Sequence, residues 1–309
     1  MKRYIYPFEG FIEKDTIENG CWISLENPSS EDLLTATNEW GVPEQFLSDI
    51  ADTEERPRTE EEDGWQLTIL RIPIESISDD DISYSTVPIG VIISESKELI
   101  VSVCYFETRV LPDFVGYSKR KGIVIKTQAD FLLRMIYSSA VWFLKYLKQV
   151  NAEVTRAESA LEQSISNQAL LRLMRLQKSF VFFNTSLRGN EAMIGKLRTV
   201  YRGDFDEDLM EDVLIEMKQA SNMVTIYNDI LTGTMDAFAS VISNNVNTIM
   251  KRMTSISMLL MMPTLIASLY GMNMRLPIAE SEFAFVAVLL ISAALSAIMF
   301  YIFKRIKWL

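Results

Sequence analysis

The stretch KRMTSISMLLMMPTLIASLYGMNMR, residues 251–275, decides the fold of this chain. Residues 253–270 within it carry no charge, and a second uncharged run follows at 283–303. Each run comes close to the roughly 20 residues that a helix needs to cross a hydrocarbon core of about 30 Å. The sequence therefore predicts two transmembrane helices joined by an extracellular loop at 271–282.

The charges outside the two runs set the predicted orientation. Lys251 and Arg252 precede the first run, and a basic tail, KRIKWL at 304–309, follows the second. Basic residues are retained on the cytosolic side of a membrane. Both termini are therefore expected in the cytosol of a multi-pass protein of the plasma (inner) membrane, with residues 1–252 on the same side.

The first run carries a polar stripe. Steps of three and four residues back from Gly271 reach small, hydroxyl, amide or thioether side chains, at Ser268, Thr264, Met261, Ser257, Thr254, Met250 and Asn247. Residues at this spacing share one helix face. One interpretation is that this face lets two membrane helices approach and hydrogen-bond. The other is that several copies turn it inward around water, which requires a closed homo-oligomer with the pore on its symmetry axis.

The stripe leads into Gly271, Met272 and Asn273. In a closed oligomer Asn273 would form a ring of amide oxygens at the extracellular mouth, where hydrated divalent cations bind through their water shell. Met250, Met253 and Met261 would form narrow apolar constrictions toward the cytosol. The alternative role of Asn273 is an ordinary helix C-cap.

Residues 1–127 have the pattern of a cytosolic α/β domain. Runs of β-branched and aromatic residues bounded by turn residues predict strands at 21–24, 65–74, 87–94, 99–103 and 123–125. Ser29 or Ser30 can cap one helix, and Pro43 can open another that runs to about Ala51.

Residues 128–252 are predicted to form a cytosolic helical and stalk region. Apolar residues recur at helical spacing from 131 to 176, and glycines predict breaks at 189–195 and near 203. Residues 206–270 then predict one helix of about 65 residues, on the order of 100 Å long. A globular core cannot bury that length, so the helix is predicted to be a stalk that continues into the lipid bilayer.

Composition removes several classes of function. The net charge is -11, which disfavours nucleic acid as a partner. The chain has no histidine, which excludes the histidine-dependent nucleophilic schemes and metal sites. Cys21 and Cys104 lie in apolar surroundings without the spacing of a zinc or redox motif. The sequence therefore predicts neither an enzyme nor an organic cofactor.

Short motifs carry a family resemblance. Residues 270–273, YGMN, follow a span that contains PTLIA at 263–267, and the chain ends in the basic tail. Four further motifs lie along the chain, at 21–23 (CWI), 47–50 (LSDI), 55–58 (ERPR) and 176–179 (LQKS). On these residues the chain resembles the CorA family of magnesium channels over most of its length.

The resemblance implies a homo-pentameric funnel, with the stalk helix lining the pore and the second span outside it. It implies Mg²⁺ uptake, with Gly271 and Asn273 at the selectivity mouth. It also implies that Asp49 and Asp212 bind a regulatory Mg²⁺ between neighbouring protomers. Two facing carboxylates repel each other unless a cation bridges them, so intracellular Mg²⁺ would favour the closed state.

The loop after the signature departs from the family pattern. Family members often continue into an acidic Met-Pro-Glu-Leu sequence, whereas Arg275 stands in this loop, with Glu280 and Glu282 after it. Co²⁺ and Ni²⁺ therefore remain candidate ions beside Mg²⁺. A zinc transporter of the same architecture is one alternative, and a membrane-anchored binding or signalling protein without transport is another.

Overall fold

The computed structural model describes residues 1–78, 81–94, 96–163, 167–200, 205–272 and 283–308. The chain forms two compact units, Met1–Thr232 and Gly233–Leu309. The first contains a sheet with helices on both faces, and the second contains two long apolar helical segments. The finer division at residues 127, 252, 270, 282 and 303 stays a prediction.

Seven described strands form one mixed sheet. They are β1 (Lys2–Tyr6), β2 (Ile12–Glu13), β3 (Trp22–Glu26), β4 (Arg58–Glu62), β5 (Trp65–Ser78), β6 (Asp81–Ser94) and β7 (Leu99–Cys104). Their order across the sheet is β2-β1-β3-β7-β6-β5-β4. Strands β3 and β7 pair in parallel, and the other neighbouring strands pair antiparallel. Every residue of β3 and β7 is buried, as expected for central strands that are covered on both faces.

Within the described residues, five α-helices accompany the sheet. They are α1 (Ser30–Asn38), α2 (Glu44–Ala51), α3 (Val110–Lys121), α4 (Gln128–Gln163) and α5 (Asn167–Val200). On one face, Ile50 of α2 belongs to the same buried cluster as Val101 of β7. On the other face, the ring of Trp22 in β3 contacts Phe131 of α4, with 4.9 Å between centroids. The predicted α/β class is confirmed.

Local sequence signals explain where the first helices begin. The Ser29 side chain accepts a hydrogen bond from the backbone N–H of Asp32, and the Asp32 carboxylate accepts one from the Ser29 backbone. This capping box satisfies donors that the first helical turn leaves unpaired. Pro43 immediately precedes α2, which ends at Ala51. Both predicted helices are confirmed, as are the predicted strands at 21–24, 65–74, 87–94 and 99–103.

Two of the sequence predictions are wrong. Residues 123–125 form no strand, because α3 ends at Lys121 with Gly122 as a left-handed cap, and only five residues, 123–127, separate Gly122 from α4. The predicted break at 189–195 is also absent, because α5 continues through both glycines. Gly189 serves close packing instead, since an added Cβ there would lie 2.9 Å from Cγ of Pro57.

The chain reverses direction between α4 and α5. The ring of Phe143 in α4 contacts that of Phe183 in α5, with 5.4 Å between centroids, and Glu153 forms an ion pair with Arg172. Residues later in α4 therefore contact residues earlier in α5. The two helices form an antiparallel pair.

Two further helices are described after the α/β region. Helix α6 (Glu207–Tyr270) has 64 residues, which correspond to about 95 Å at 1.5 Å per residue. The Asp206 carboxylate caps its first turn by accepting the N–H groups of Asp208 and Leu209. Helix α7 (Ala284–Arg305) has 22 residues. Both are long and apolar enough to cross a membrane, and none of the most apolar window of α7 is buried, unlike the core helix of a soluble protein.

Gly90 sets how closely α2 approaches the sheet. An added Cβ at Gly90 would lie 2.1 Å from Cδ1 of Ile50 and 3.3 Å from Cδ1 of Leu67. We expect Gly90→Ala to lower the free energy of unfolding by about 1–3 kcal/mol, because α2 must move away from β6. Thermal unfolding of the purified full-length chain in detergent, followed by circular dichroism, measures this change.

Gly195 of α5 provides the matched control. An added Cβ at Gly195 meets no described atom within 4 Å outside the helix's own local backbone. Gly195→Ala should therefore raise stability by about 0.5–1 kcal/mol, through the lower flexibility of the unfolded chain. Equal stability of Gly90→Ala and the native chain would contradict the close packing of α2.

Candidate functional site

The predicted polar stripe is exposed along its whole described length. The exposed residues are Asn247, Met250, Thr254, Ser257, Met261, Thr264, Ser268 and Gly271. Met250 and Met261 keep 62 % and 64 % of their surface. Within the unit Gly233–Leu309, the stripe is therefore not used to pack one helix on another.

The opposite side of α6 is the less exposed side. Residues of reduced exposure recur there at helical spacing, at Ser255, Leu259, Met262, Ile266 and Tyr270. At 100° per residue, Ser257 and Thr264 lie about 200° and 180° around the helix from Ser255. A matching line of reduced exposure runs along α7, at Ala284, Ala287, Val288, Ser292, Ser296, Met299 and Phe303. We infer that these two lines face each other and leave the stripe free.

The stripe presents oxygen acceptors without formal charge. The hydroxyl of Thr264 donates its hydrogen to the backbone carbonyl of Leu260, 3.0 Å away. Its lone pairs then remain available to accept from a water molecule. A hydrated cation carries outward-pointing water hydrogens, which such acceptors can bind without removing the shell.

The extracellular end of the stripe is described only as far as Met272. The N–H of Gly271 donates to the carbonyl of Ala267 at 2.9 Å, and that of Met272 donates to Leu269 at 3.3 Å. Helical hydrogen bonding thus continues to the edge of the signature. Asn273 and the loop residues Arg275, Glu280 and Glu282 lie outside the described residues.

Asp49, the first of the two predicted regulatory carboxylates, is already paired within its own chain. Its Oδ2 accepts a hydrogen bond from Nη2 of Arg58 at 2.6 Å, and its Oδ1 accepts one from Nε2 of Gln45 at 2.7 Å. Arg58 also contacts Glu55 and Glu60. Three carboxylates therefore share one guanidinium group.

Asp212, the second predicted regulatory carboxylate, lines a cavity of about 340 Å³. The cavity lies among α3, α4 and the first turns of α6, and Tyr137 and Arg134 line it too. Burial, and then the charges of Glu216, Tyr117 and Asp212, raise the pKa of Tyr137. Arg134 is neutralised by Asp130, whose Oδ1 is 2.6 Å from its Nε.

The sheet separates the surroundings of the two carboxylates. Asp49 belongs to α2, whose buried residues pack on the face that carries Val101. Asp212 lies beside α3 and α4, which pack on the face that carries Trp22. No group of three potential metal-ligating side chains occurs among the described residues. The surroundings of Asp49 and Asp212 in one chain therefore lie on opposite faces of the sheet.

A sequence profile described as CorA-like Mg²⁺ transporter protein matches residues 18–305, nearly the whole chain. The chain belongs to the CorA-like Mg²⁺ transporter family. Among curated relatives, the cobalt/magnesium transport protein CorA of Methanocaldococcus jannaschii is 26 % identical over 93 % of this chain and 91 % of its own length. The magnesium transport protein CorA of Helicobacter pylori strain 26695 is 23 % identical over 100 % of this chain and 96 % of its own.

Solved structures share the CorA fold. The complete structure of the CorA magnesium transporter from M. jannaschii superposes with a TM-score of 0.84 at 22 % identity, covering 100 % of this chain and 99 % of that one. The cytoplasmic domain of ZntB from Vibrio parahaemolyticus superposes with a TM-score of 0.61 at 13 % identity, covering 79 % and 98 %. A transporter must cross the membrane, and α6 and α7 are the described helices that can do so.

Two features of this CorA-family chain are absent from the sequence predictions. Arg58 belongs to the short motif at 55–58. Nothing in its spacing from Asp49 shows that β4 runs back beside α2, so the sequence does not predict that the two residues pair. The cavity around Asp212 is assembled from α3, α4 and α6, and the whole of α5 separates α6 from the other two in the sequence, so no local pattern marks it. The sequence signal that could have revealed the contacts of Arg58 is its position among several acidic residues, because such a mixture of charges indicates an ion-pair network.

Proposed function

We propose that five copies of this chain form a channel that admits Mg²⁺ to the cell through the plasma membrane. The observation that carries the proposal is the exposure of the whole polar stripe of α6, on the side opposite the one that packs. Membership of a magnesium transporter family supports the ion. The homo-oligomer is required because one pair of helices cannot enclose a pore.

The stripe suits an ion that keeps its water. Mg²⁺ loses its water shell reluctantly, so neutral oxygens that bind the shell favour its passage over sites that replace it. Asn273 supplies the outer ring of amides, and Thr264 supplies hydroxyl acceptors further along. Met250 and Met261 form apolar girdles, where loss of water closes the path without a plug.

Regulation is proposed to use the two carboxylates. Intracellular Mg²⁺ bridges Asp49 of one protomer and Asp212 of its neighbour and holds the closed state. The position of the two groups on opposite faces of the sheet supports a bridge between copies. Low intracellular Mg²⁺ releases the bridge and favours opening.

The basic residues near the two spans support the orientation, and the names of the relatives support the range of ions. Basic residues before the first span and after the second favour both termini in the cytosol. Two relatives are named cobalt/magnesium transport proteins, which supports Co²⁺ as a further cargo, and Ni²⁺ is proposed with it. A zinc transporter of the same architecture remains the alternative within transport, and fold likeness to a ZntB domain alone does not favour it.

Cysteine accessibility tests which way the stripe faces. Thr264 and Leu265 are adjacent and both exposed in the isolated chain, but only Thr264 belongs to the stripe. We expect a water-soluble methanethiosulfonate to modify Thr264→Cys at least about tenfold faster than Leu265→Cys in membranes, because reaction requires a thiolate in water. Modification of Thr264→Cys should also block Mg²⁺ flux.

The two native cysteines should not interfere with the labelling experiment. Cys21 and Cys104 are fully buried, and burial raises the pKa of both thiols, that of Cys104 to about 12. Neither should react on the timescale of a pore thiol. Faster labelling of Leu265→Cys than of Thr264→Cys would show that the stripe faces lipid or a neighbouring helix, and the pore proposal would then be wrong.

A further inference from the structure

Arg58 is hydrogen-bonded to the carboxylate of Asp49, the group that the regulatory cation is proposed to bind. Both Asp49 oxygens accept hydrogen bonds within the chain, Oδ2 from Arg58 and Oδ1 from Gln45. Only 16 % of the Asp49 side chain is exposed, and 30 % of the Arg58 side chain. The carboxylate is therefore neutralised before any divalent cation reaches it.

The charge on Arg58 is permanent. Burial lowers the pKa of its guanidinium group, but hydrogen bonds to Glu60, Glu55 and Asp49 outweigh burial and leave that pKa above its ordinary value. No accessible pH removes the charge. A cation that binds Asp49 directly must therefore displace a positively charged Arg58 at every accessible pH.

The loop that carries this arrangement is fixed to the sheet. Nη1 of Arg71 in β5 donates to the backbone carbonyls of Thr53 and Glu55, at 2.9 and 3.0 Å. Asn190 of α5 is fully buried and bonds both backbone groups of Arg71, at 2.9 and 2.8 Å. Arg58 is therefore held next to Asp49 by the fold and does not depend on a mobile loop.

Glu60 offers Arg58 a second acceptor. Its Oε2 lies 3.1 Å from Nε and 3.0 Å from Nη2 of Arg58, and Nη2 is also the atom that donates to Asp49. When a cation takes Asp49, Arg58 can keep its charge paired with Glu60 and Glu55. Displacement then avoids the cost of an unpaired, partly buried charge.

We propose that Arg58 is an intramolecular competitor of the regulatory cation, and that it sets the Mg²⁺ concentration at which Asp49 is bridged to the neighbouring protomer. This inference rests on the proposed regulatory role of Asp49. Removing Arg58 lowers the concentration of Mg²⁺ needed for closure. Removing Glu60, which shares Arg58 with Asp49, raises it.

The test uses the full-length channel in inside-out membrane patches, with Mg²⁺ stepped at the cytosolic face while current is recorded. Arg58→Gln is expected to close at a Mg²⁺ concentration about three- to tenfold below that of the native channel. Arg56→Gln is the matched control, because Arg56 is exposed and has no ion-pair partner among the described residues. Arg56→Gln also removes one positive charge, two residues from Arg58, and should change the closing Mg²⁺ concentration much less than Arg58→Gln does.

Asp49→Asn separates this inference from the function on which it rests. If Asp49→Asn raises the closing concentration but Arg58→Gln matches Arg56→Gln, competition by Arg58 is refuted and the regulatory site stands. If Asp49→Asn leaves closure unchanged, the regulatory role of Asp49 fails, and the inference fails with it.

A second pair of variants covers failure of Arg58→Gln to assemble. Glu60→Gln lets Arg58 bind Asp49 more tightly and should raise the closing concentration above that of Glu61→Gln. Glu61 is the neighbouring residue of β4 and is exposed. Since both changes remove one negative charge, equal shifts would overturn the proposal.

Discussion

Replacing Asn273 by alanine is expected to reduce Mg²⁺ flux through the reconstituted channel by well over tenfold. In the proposed pentamer the change removes five amide groups from the outer mouth at once. Each hydrogen bond to the water shell of the ion contributes on the order of 0.5–1.5 kcal/mol. Since about 1.4 kcal/mol corresponds to a factor of ten, the loss of five such bonds outweighs any gain in width.

Liposomes loaded with a Mg²⁺ indicator measure this flux, and Asn245→Ala serves as the matched control. Asn245 is exposed on the same helix, precedes the uncharged run and lies about 200° around the helix from Asn247. Asn245→Ala should conduct like the native chain. Native flux through Asn273→Ala would contradict the proposed role of Asn273 at the mouth. Absence of Mg²⁺ flux through the native chain itself would favour a membrane-anchored protein whose two apolar helices serve only as an anchor.

The same liposomes distinguish the candidate ions. A passive channel for hydrated divalent cations should pass Mg²⁺, with Co²⁺ and Ni²⁺ also tested, and its flux should not depend on a pH gradient. A zinc transporter should prefer Zn²⁺, and coupling to protons would make that flux respond to the gradient. Arg275 near the mouth is the residue that makes this comparison necessary.

Periodicity explains what the sequence could reveal about the spans and the central sheet. The stripe from Asn247 to Gly271 repeats at the spacing of a helix, so its common face could be predicted without any tertiary contact. Central strands such as β3 (WISLE) and β7 (LIVSVC) are mostly apolar because both faces are covered. These patterns depend on local geometry and on which faces are buried, and both leave a periodic pattern of apolar and polar residues in the sequence.

Edge strands and non-local pairs were harder to predict. Strand β4 has the sequence RTEEE, which looks like a solvated acidic run until its pairing with β5 is known. Charges are common on edge strands because they discourage further pairing, and the same charges hide the strand from a propensity argument. The partner of Asp49 lies on this strand, so Arg58 could not be identified as its partner from the sequence alone.

Replacing Asp49 and Asp212 together by asparagine is expected to abolish closure by cytosolic Mg²⁺. Asparagine has nearly the same size and keeps one oxygen, but it removes the charge that binds the bridging cation. The double variant should conduct at Mg²⁺ concentrations at least about tenfold above those that close the native channel. Current in inside-out patches provides the measurement, and Asp52→Asn with Asp208→Asn is the control of equal charge.

The single variants show whether the two carboxylates share one cation. If one ion bridges Asp49 and Asp212, losing either carboxylate breaks the bridge, so each single variant should lose about as much Mg²⁺ sensitivity as the double variant. Residues that act as a unit give such strongly non-additive effects, whereas independent sites add. Additive shifts would mean that each carboxylate binds its own cation. In that case the packing of Asp49 and Asp212 on opposite faces of the sheet would reflect two separate sites and not one site between neighbouring copies.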